Sequence, residues 1–197
     1  RVGGGLFLRF NDDLISIGGL AALASVGGDL RIQFNESLTS LDGLDGLTIV
    51  NSSFFITDNV SLGHLDGLVV LNSVGGNFFV GRNDALTNVD GLAALITVNS
   101  NLDILQNLAL TDLDGLMTLD SIVGDLSVAE NTELTDCTGL APVLGGLAVL
   151  TDPSLSNVGG AVNIADSNGV GAQSVTDCLS DLATILQDGF EGPAGDT

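Results

Sequence analysis

Apolar and polar positions recur along this chain with one fixed period. Aligned on asparagine, the pattern returns at Asn11, Asn35, Asn59, Asn83, Asn107 and Asn131, every step 24 residues with nothing inserted or lost. Five and three residues before each asparagine stand apolar pairs: Leu6/Leu8, Leu30/Ile32, Phe54/Ile56, Phe78/Val80, Leu102/Ile104 and Leu126/Val128. That alternation predicts one short β-strand per copy, apolar side inward. Three residues after the asparagine runs an unbroken leucine column, Leu14, Leu38, Leu62, Leu86, Leu110 and Leu134. Further apolar positions follow at steps of three, as in Leu38, Leu41, Leu44, Leu47 and Val50. A step of three fits neither a long α-helix nor a flat strand; it predicts a wall of short extended and 3₁₀ pieces.

Self-similarity of this kind marks a solenoid, in which each turn buries its apolar side only against its neighbours. The expected fold is a right-handed β-solenoid of 24-residue turns with one parallel sheet, short 3₁₀ turns and a C-terminal capping helix. Six turns are expected over 1–146, a loop, last strand and capping helix over 147–187, and a tail over 188–197. The period fails after Gly139, where Pro142 and Pro153 punctuate a longer segment. A seventh strand is expected at Gly159–Ile164, then a helix from an N-cap at Ser174 through Gln187. At the other end Val2 falls in the column of Val26, Val50, Val74 and Val98. The first turn is therefore expected to leave apolar edges for an upstream segment or another molecule to cover.

The asparagines sit where the strand ends and the chain turns inward, so their amides can satisfy backbone groups of their own and adjacent turns as a structural ladder. Three N-x-S/T sequons begin at Asn35, Asn51 and Asn59, and all three are read as structural. In the recurring D-G-L segment, Asp42, Asp66, Asp90 and Asp114 are expected to cap short helical turns. A calcium ladder would need several carboxylates per loop.

Charge narrows the partners. Twenty-five acidic residues face four arginines (Arg1, Arg9, Arg31, Arg82), for a net charge of −21. Nucleic acid and anionic membranes are poor partners for such a field, and no apolar run is long enough to insert into a bilayer. Cys137 and Cys178 flank the change from repeat to non-repeat sequence. A disulfide pinning the cap, and hence an exported protein, is expected, with reduced core thiols the alternative.

The phrases Gly27-Gly28-Asp29-Leu30-Arg31-Ile32 and Asn35-Glu36-Ser37-Leu38-Thr39-Ser40-Leu41-Asp42-Gly43-Leu44, with Cys137-Thr138-Gly139-Leu140-Ala141-Pro142, resemble the receptor L-domain-like branch of leucine-rich solenoids in its secreted bacterial version. The resemblance covers roughly residues 3–187. It implies the solenoid fold and extracellular recognition, adhesion or surface structure, with no common catalytic residues. The acidity and the presence of only two cysteines depart from receptor examples, so receptor-type ligand binding is not implied.

No catalytic, cofactor or metal residues are assigned. His64 is the single histidine, in a column with Ser16, Ser40, Asn88, Asp112 and Asp136 that is expected to face solvent. Asp103 and Asp125, on neighbouring turns, could serve as an acid–base pair in a polysaccharide-cleaving solenoid, but no Trp or Tyr is present to stack on sugars. The distinctive column is apolar. On the outward side of the strands stand Phe7, Arg31, Phe55, Phe79, Asp103 and Ser127, with Phe34 and Leu105 close by. Exposed aromatics grouped on a rigid sheet mark a partner surface. A second rank, Ile15, Thr39, Gly63, Thr87, Thr111 and Thr135, could order water as ice-binding surfaces do. The expected function is non-enzymatic adhesion, recognition or self-assembly at or outside the cell surface. The partner is a protein or copies of the chain, met through Phe7, Phe55, Phe79, Phe34, Leu105 and the open N-terminal end. Ice binding and glycan cleavage are the alternatives; a glycan partner is less favoured.

Overall fold

The structure is a computed structural model and describes residues 1–144 and 158–165. Each 24-residue copy closes one turn of a parallel β-solenoid. The main sheet has seven strands: β1 (Leu6–Arg9), β3 (Leu30–Gln33), β5 (Phe54–Thr57), β7 (Phe78–Gly81), β9 (Leu102–Leu105), β11 (Leu126–Ala129) and β12 (Val162–Ala165), hydrogen-bonded in that order. Register is kept throughout: Leu30 lies beside Leu6 and Phe54, and Leu126 beside Leu102 and Val162. The seventh strand returns as expected but runs Val162–Ala165, starting three residues later than Gly159 and ending one beyond Ile164.

The wall opposite contains a second parallel sheet that the sequence reading did not separate from its 3₁₀ pieces. It is built from two-residue strands: β2 (Ser25–Val26), β4 (Ile49–Val50), β6 (Ser73–Val74), β8 (Thr97–Val98) and β10 (Ser121–Ile122). A segment of two residues is too short for a periodicity to announce it. It forms because the same valine or isoleucine stands against its counterpart on each neighbouring turn.

Between the sheets lies one continuous core. Val26, Leu30, Ile32, Leu38, Leu41, Leu44, Leu47 and Val50 are fully buried, as are their counterparts through Leu126. Each such side chain contributes about 1.5–3 kcal/mol of apolar burial. Phe54 and Phe78 stack inside it at 5.2 Å between ring centres. In the first turn the equivalent Val2, Leu6, Leu8, Leu14 and Leu20 are only partly buried, so this end face is apolar.

Short 3₁₀ turns stand at Gly18–Leu20, Asp66–Leu68, Asp90–Leu92, Asp114–Leu116 and Thr138–Leu140. The aspartates of D-G-L do not cap them, which corrects the sequence reading. In four of the five the first N–H is met by the side chain two residues earlier. Side-chain oxygens of Ser16, Asn88, Asp112 and Asp136 accept the N–H of Gly18, Asp90, Asp114 and Thr138 at 3.1, 3.1, 3.4 and 2.8 Å. The glycine of D-G-L has a packing reason: a Cβ on Gly91 would run into the carbonyl of Leu65 one turn back.

The ladder is as expected. Asn35, Asn59, Asn83 and Asn107 are fully buried. Each receives the backbone N–H of the preceding turn's asparagine on its side-chain oxygen, at 3.1–3.3 Å. Each amide also donates to a carbonyl one turn back, Asn83 to Ile56 at 2.9 Å and Asn107 to Val80 at 3.1 Å. Asn35 and Asn59 are therefore closed to modification, whereas Asn51 is exposed. Cys137 is fully buried. Its expected partner Cys178, the capping helix at 174–187 and the tail lie outside the described residues.

Candidate interaction face

Strand alternation sends every second residue of the main sheet outward, and parallel register stacks these residues into straight columns. The central column reads Phe7, Arg31, Phe55, Phe79, Asp103 and Ser127, each paired with the next across the sheet. Phe7 is 58% exposed; Arg31, Phe55, Phe79 and Asp103 are half-buried. The Arg31 guanidinium lies 4.5 Å from the centre of the Phe55 ring and 5.9 Å from that of Phe7, bridging the two as a cation–π contact. Arg31 also donates to Asp29 Oδ2 at 2.8 Å. Phe79 is next to Phe55 in register, and its ring lies over Gly81, where a Cβ would collide with it.

The residue before each ladder asparagine turns the corner of the sheet in the left-handed conformation. Phe10, Phe34, Asp58, Arg82, Gln106 and Glu130 have φ of 59°, 56°, 59°, 53°, 59° and 60°. Sequence reasoning missed this, because none of the six is glycine or asparagine, the usual signals. The six side chains pair off along the corner. Phe10 and Phe34 stack at 4.8 Å, Arg82 grips Asp58 through two bonds of 2.6 and 3.0 Å, and Gln106 donates to Glu130 at 2.6 Å. An open groove of about 380 Å³ runs beside them, lined by Asp58, Arg82, Gln106 and Glu130 with Val60, Asp84 and Leu108.

The face is electrically polarised. Arg9 and Arg31 stand with the aromatics on the first two turns; Asp103, Asp125 and Glu130 stand on the fifth and sixth. Hydrogen bonds from Ser52 and then Arg31 hold the Asp29 carboxyl below its ordinary range. Burial pushes Asp58 upward, but the bonds from Arg82 and Thr57 with the Arg82 charge outweigh it and leave Asp58 lowered. Asp103 goes the other way: partial burial raises it, the Asp125 charge adds to that, and a bond with Ser127 opposes both.

The other candidates fall elsewhere. Phe34 and Leu105 are half-buried, Phe34 at the corner and Leu105 at the end of β9. Asp125 is not beside Asp103 in one column, and its Oδ1 accepts the Ala161 N–H at 2.7 Å. His64 is half-buried where the column was expected to face solvent; its Nδ1 lies 3.2 Å from Asp66 Oδ2 without a hydrogen bond. Thr39, Thr87, Thr111 and Thr135 are exposed and joined through Gly63 by a backbone ladder. The hydroxyls of Thr87 and Thr111 donate to the carbonyls of Gly63 and Thr87. Among the described residues no three acidic, His or Cys side chains converge on a point that could hold a metal ion, and no helix is long and apolar enough to cross a membrane. The chain matches no protein-family model, no curated protein and no solved structure.

Proposed function

We propose that this chain is a non-enzymatic extracellular module, of the leucine-rich, receptor L-domain-like kind. It makes protein contacts through the outward face of its main sheet, with copies of itself in the first place. One observation carries the reading. A chain of net charge −21 gathers Phe7, Phe10, Phe55 and Phe79 with Arg9 and Arg31 on one rigid face. Aromatic and Arg side chains on a surface of fixed shape lose little conformational entropy on binding and are the usual anchors of protein interfaces. Phenylalanine without Tyr or Trp favours a protein over a glycan. The Thr rank supports ice binding less well, since the Thr87 and Thr111 hydroxyls are engaged by backbone carbonyls.

The test is static light scattering of the purified chain over a concentration series, with Phe55→Ser and Phe79→Ser beside wild type. Concentration-dependent growth in mass that both variants abolish is expected. A wild type that stays monomeric throughout, or variants that associate unchanged, would defeat the reading.

A further inference from the structure

The central column is self-complementary when reversed. Turned end for end about the point between Phe55 and Phe79, it sets Arg31 against Asp103 and Phe55 against Phe79. The corner column behaves alike, since the same reversal sets Asp58 against Arg82. From this we infer that two copies pack face to face with their solenoid axes antiparallel. The two-fold axis would run along the strand direction, and Arg31 of each copy would pair with Asp103 of the other. This rests on the proposed contact face and adds its occupant and its geometry.

A two-fold axis of that direction returns every outward column onto itself with turn order inverted, as an isologous interface requires. No like charges then meet along the face: Asp29 falls opposite Asn101, and Asp125 opposite Gly5. Shifting the pivot by half a turn, onto Phe55 itself, puts Arg31 on Phe79 and Phe7 on Asp103, and the charge match is lost. Arg31 spends one donor on Asp29 and keeps the rest of its five. Among the described residues the arginine–carboxylate pairs within 4 Å are Arg31–Asp29 and Arg82–Asp58, so Asp103 has no arginine of its own.

Two opposing effects set the conditions. Each copy carries −21, so association is opposed at long range, but at roughly 0.15 M salt the field is screened beyond about 8 Å, whereas contact pairs are screened less. Six strands at ~4.8 Å and four residues at ~3.3 Å give a small face. That places the dimer among weak, transient interfaces, micromolar or weaker.

Sedimentation velocity of the full chain at roughly physiological ionic strength tests the pairing. Arg31→Asp and Asp103→Arg are each expected to run as monomers where wild type dimerises, because like charges then meet across the interface. An equimolar mixture of the two should dimerise again, since each mixed pair joins opposite charges; recovery on mixing also shows that both variants are folded. Asp103→Arg makes the chain less negative, so a purely general charge effect would strengthen association where specific pairing weakens it. If either variant fails to fold, Arg31→Gln, expected to weaken the dimer several-fold, takes its place. Association of Arg31→Asp at wild-type strength, with Phe55→Ser still monomeric, overturns this geometry and leaves the contact face standing. A wild type monomeric at every concentration overturns both.

Discussion

The side-chain oxygen of Asn83 accepts both the backbone N–H and the side-chain amide of Asn59, at 3.1 and 3.3 Å, while its own amide reaches the Ile56 carbonyl at 2.9 Å. All of its polar capacity is spent inside the fold, where water cannot substitute. Asn83→Leu would strand the donors of Asn59 and the Ile56 carbonyl together. It is expected to cost roughly 2–5 kcal/mol in urea denaturation, as several buried groups lose partners. Asn11 is exposed at the ladder's end, and Asn11→Ala should cost less than about 1 kcal/mol. Equal losses at the two sites would show that burial does not set the worth of a rung.

Turn spacing depends on the glycine of D-G-L. Gly91→Ala puts a methyl into the Leu65 carbonyl, whereas at Gly19, the same column in the first turn, an added methyl would meet nothing within 4 Å. Thermal melts should show a loss of about 1–3 kcal/mol for Gly91→Ala, as overpacking does. Gly19→Ala should melt within about 0.5 kcal/mol of wild type.

Left-handed backbone at the corner can be weighed in the same way. Gln106 at φ 59° carries conformational strain of about 1–2 kcal/mol that glycine would relieve. Gln106→Gly also loses the bond to Glu130 and adds unfolded-state entropy. These terms nearly cancel, so a change within about 0.5 kcal/mol is expected. Gln106→Val, whose branched Cβ tolerates that conformation least, should lose about 1–2 kcal/mol or more by chemical denaturation.

The exposed aspartate column gives the pH dependence. Partial burial, then the carboxylates of Asp112, Asp114 and Asp66, raise the Asp90 pKa. A carboxyl raised in the fold binds its proton more tightly there than in the unfolded chain. Its charge therefore costs stability above the raised value, and the cost fades as pH falls through that value to the unfolded one, roughly 3.9. Asp90→Asn should melt higher than wild type near pH 7, with the gap closing by about pH 3. Asp29 and Asp58, both lowered, act in the opposite sense. Their contribution is present above the unfolded value and lost as pH drops through the lowered ones. Asn88→Ala, which removes the oxygen that caps Asp90 N–H, should cost about 1 kcal/mol, and a loss near zero would return the cap to the aspartates.

Ice binding has its own measurement. With Thr87 and Thr111 hydroxyls turned to backbone carbonyls and Gly63 interrupting the rank, no thermal hysteresis beyond that of a non-binding control is expected. A clear hysteresis lost in Thr87→Tyr would reverse the preference between the two faces.

What this sequence settled alone was everything that depends on periodicity. Buried leucines and ladder asparagines must recur with the turn, because each turn can satisfy its core and its amides only against an identical neighbour. Turn length, the strand columns, the inward amides and the outward Phe7–Arg31–Phe55–Phe79–Asp103 order follow from that. Tertiary structure decided whatever depends on distances across or between turns. The cap moved from Asp90 to Asn88 because the N–H to be met is that of Asp90 itself, which a side-chain oxygen two residues earlier can reach. The two-residue strands of the second sheet exist only through pairing with neighbours. The left-handed corner is imposed on Phe, Asp, Arg, Gln and Glu by the need to aim the next residue's amide inward. Arg31 came to rest between Phe7 and Phe55, and Arg82 on Asp58, because stacking in register brings residues 24 apart in sequence into contact. That nearness is a property of the coil and of no single segment.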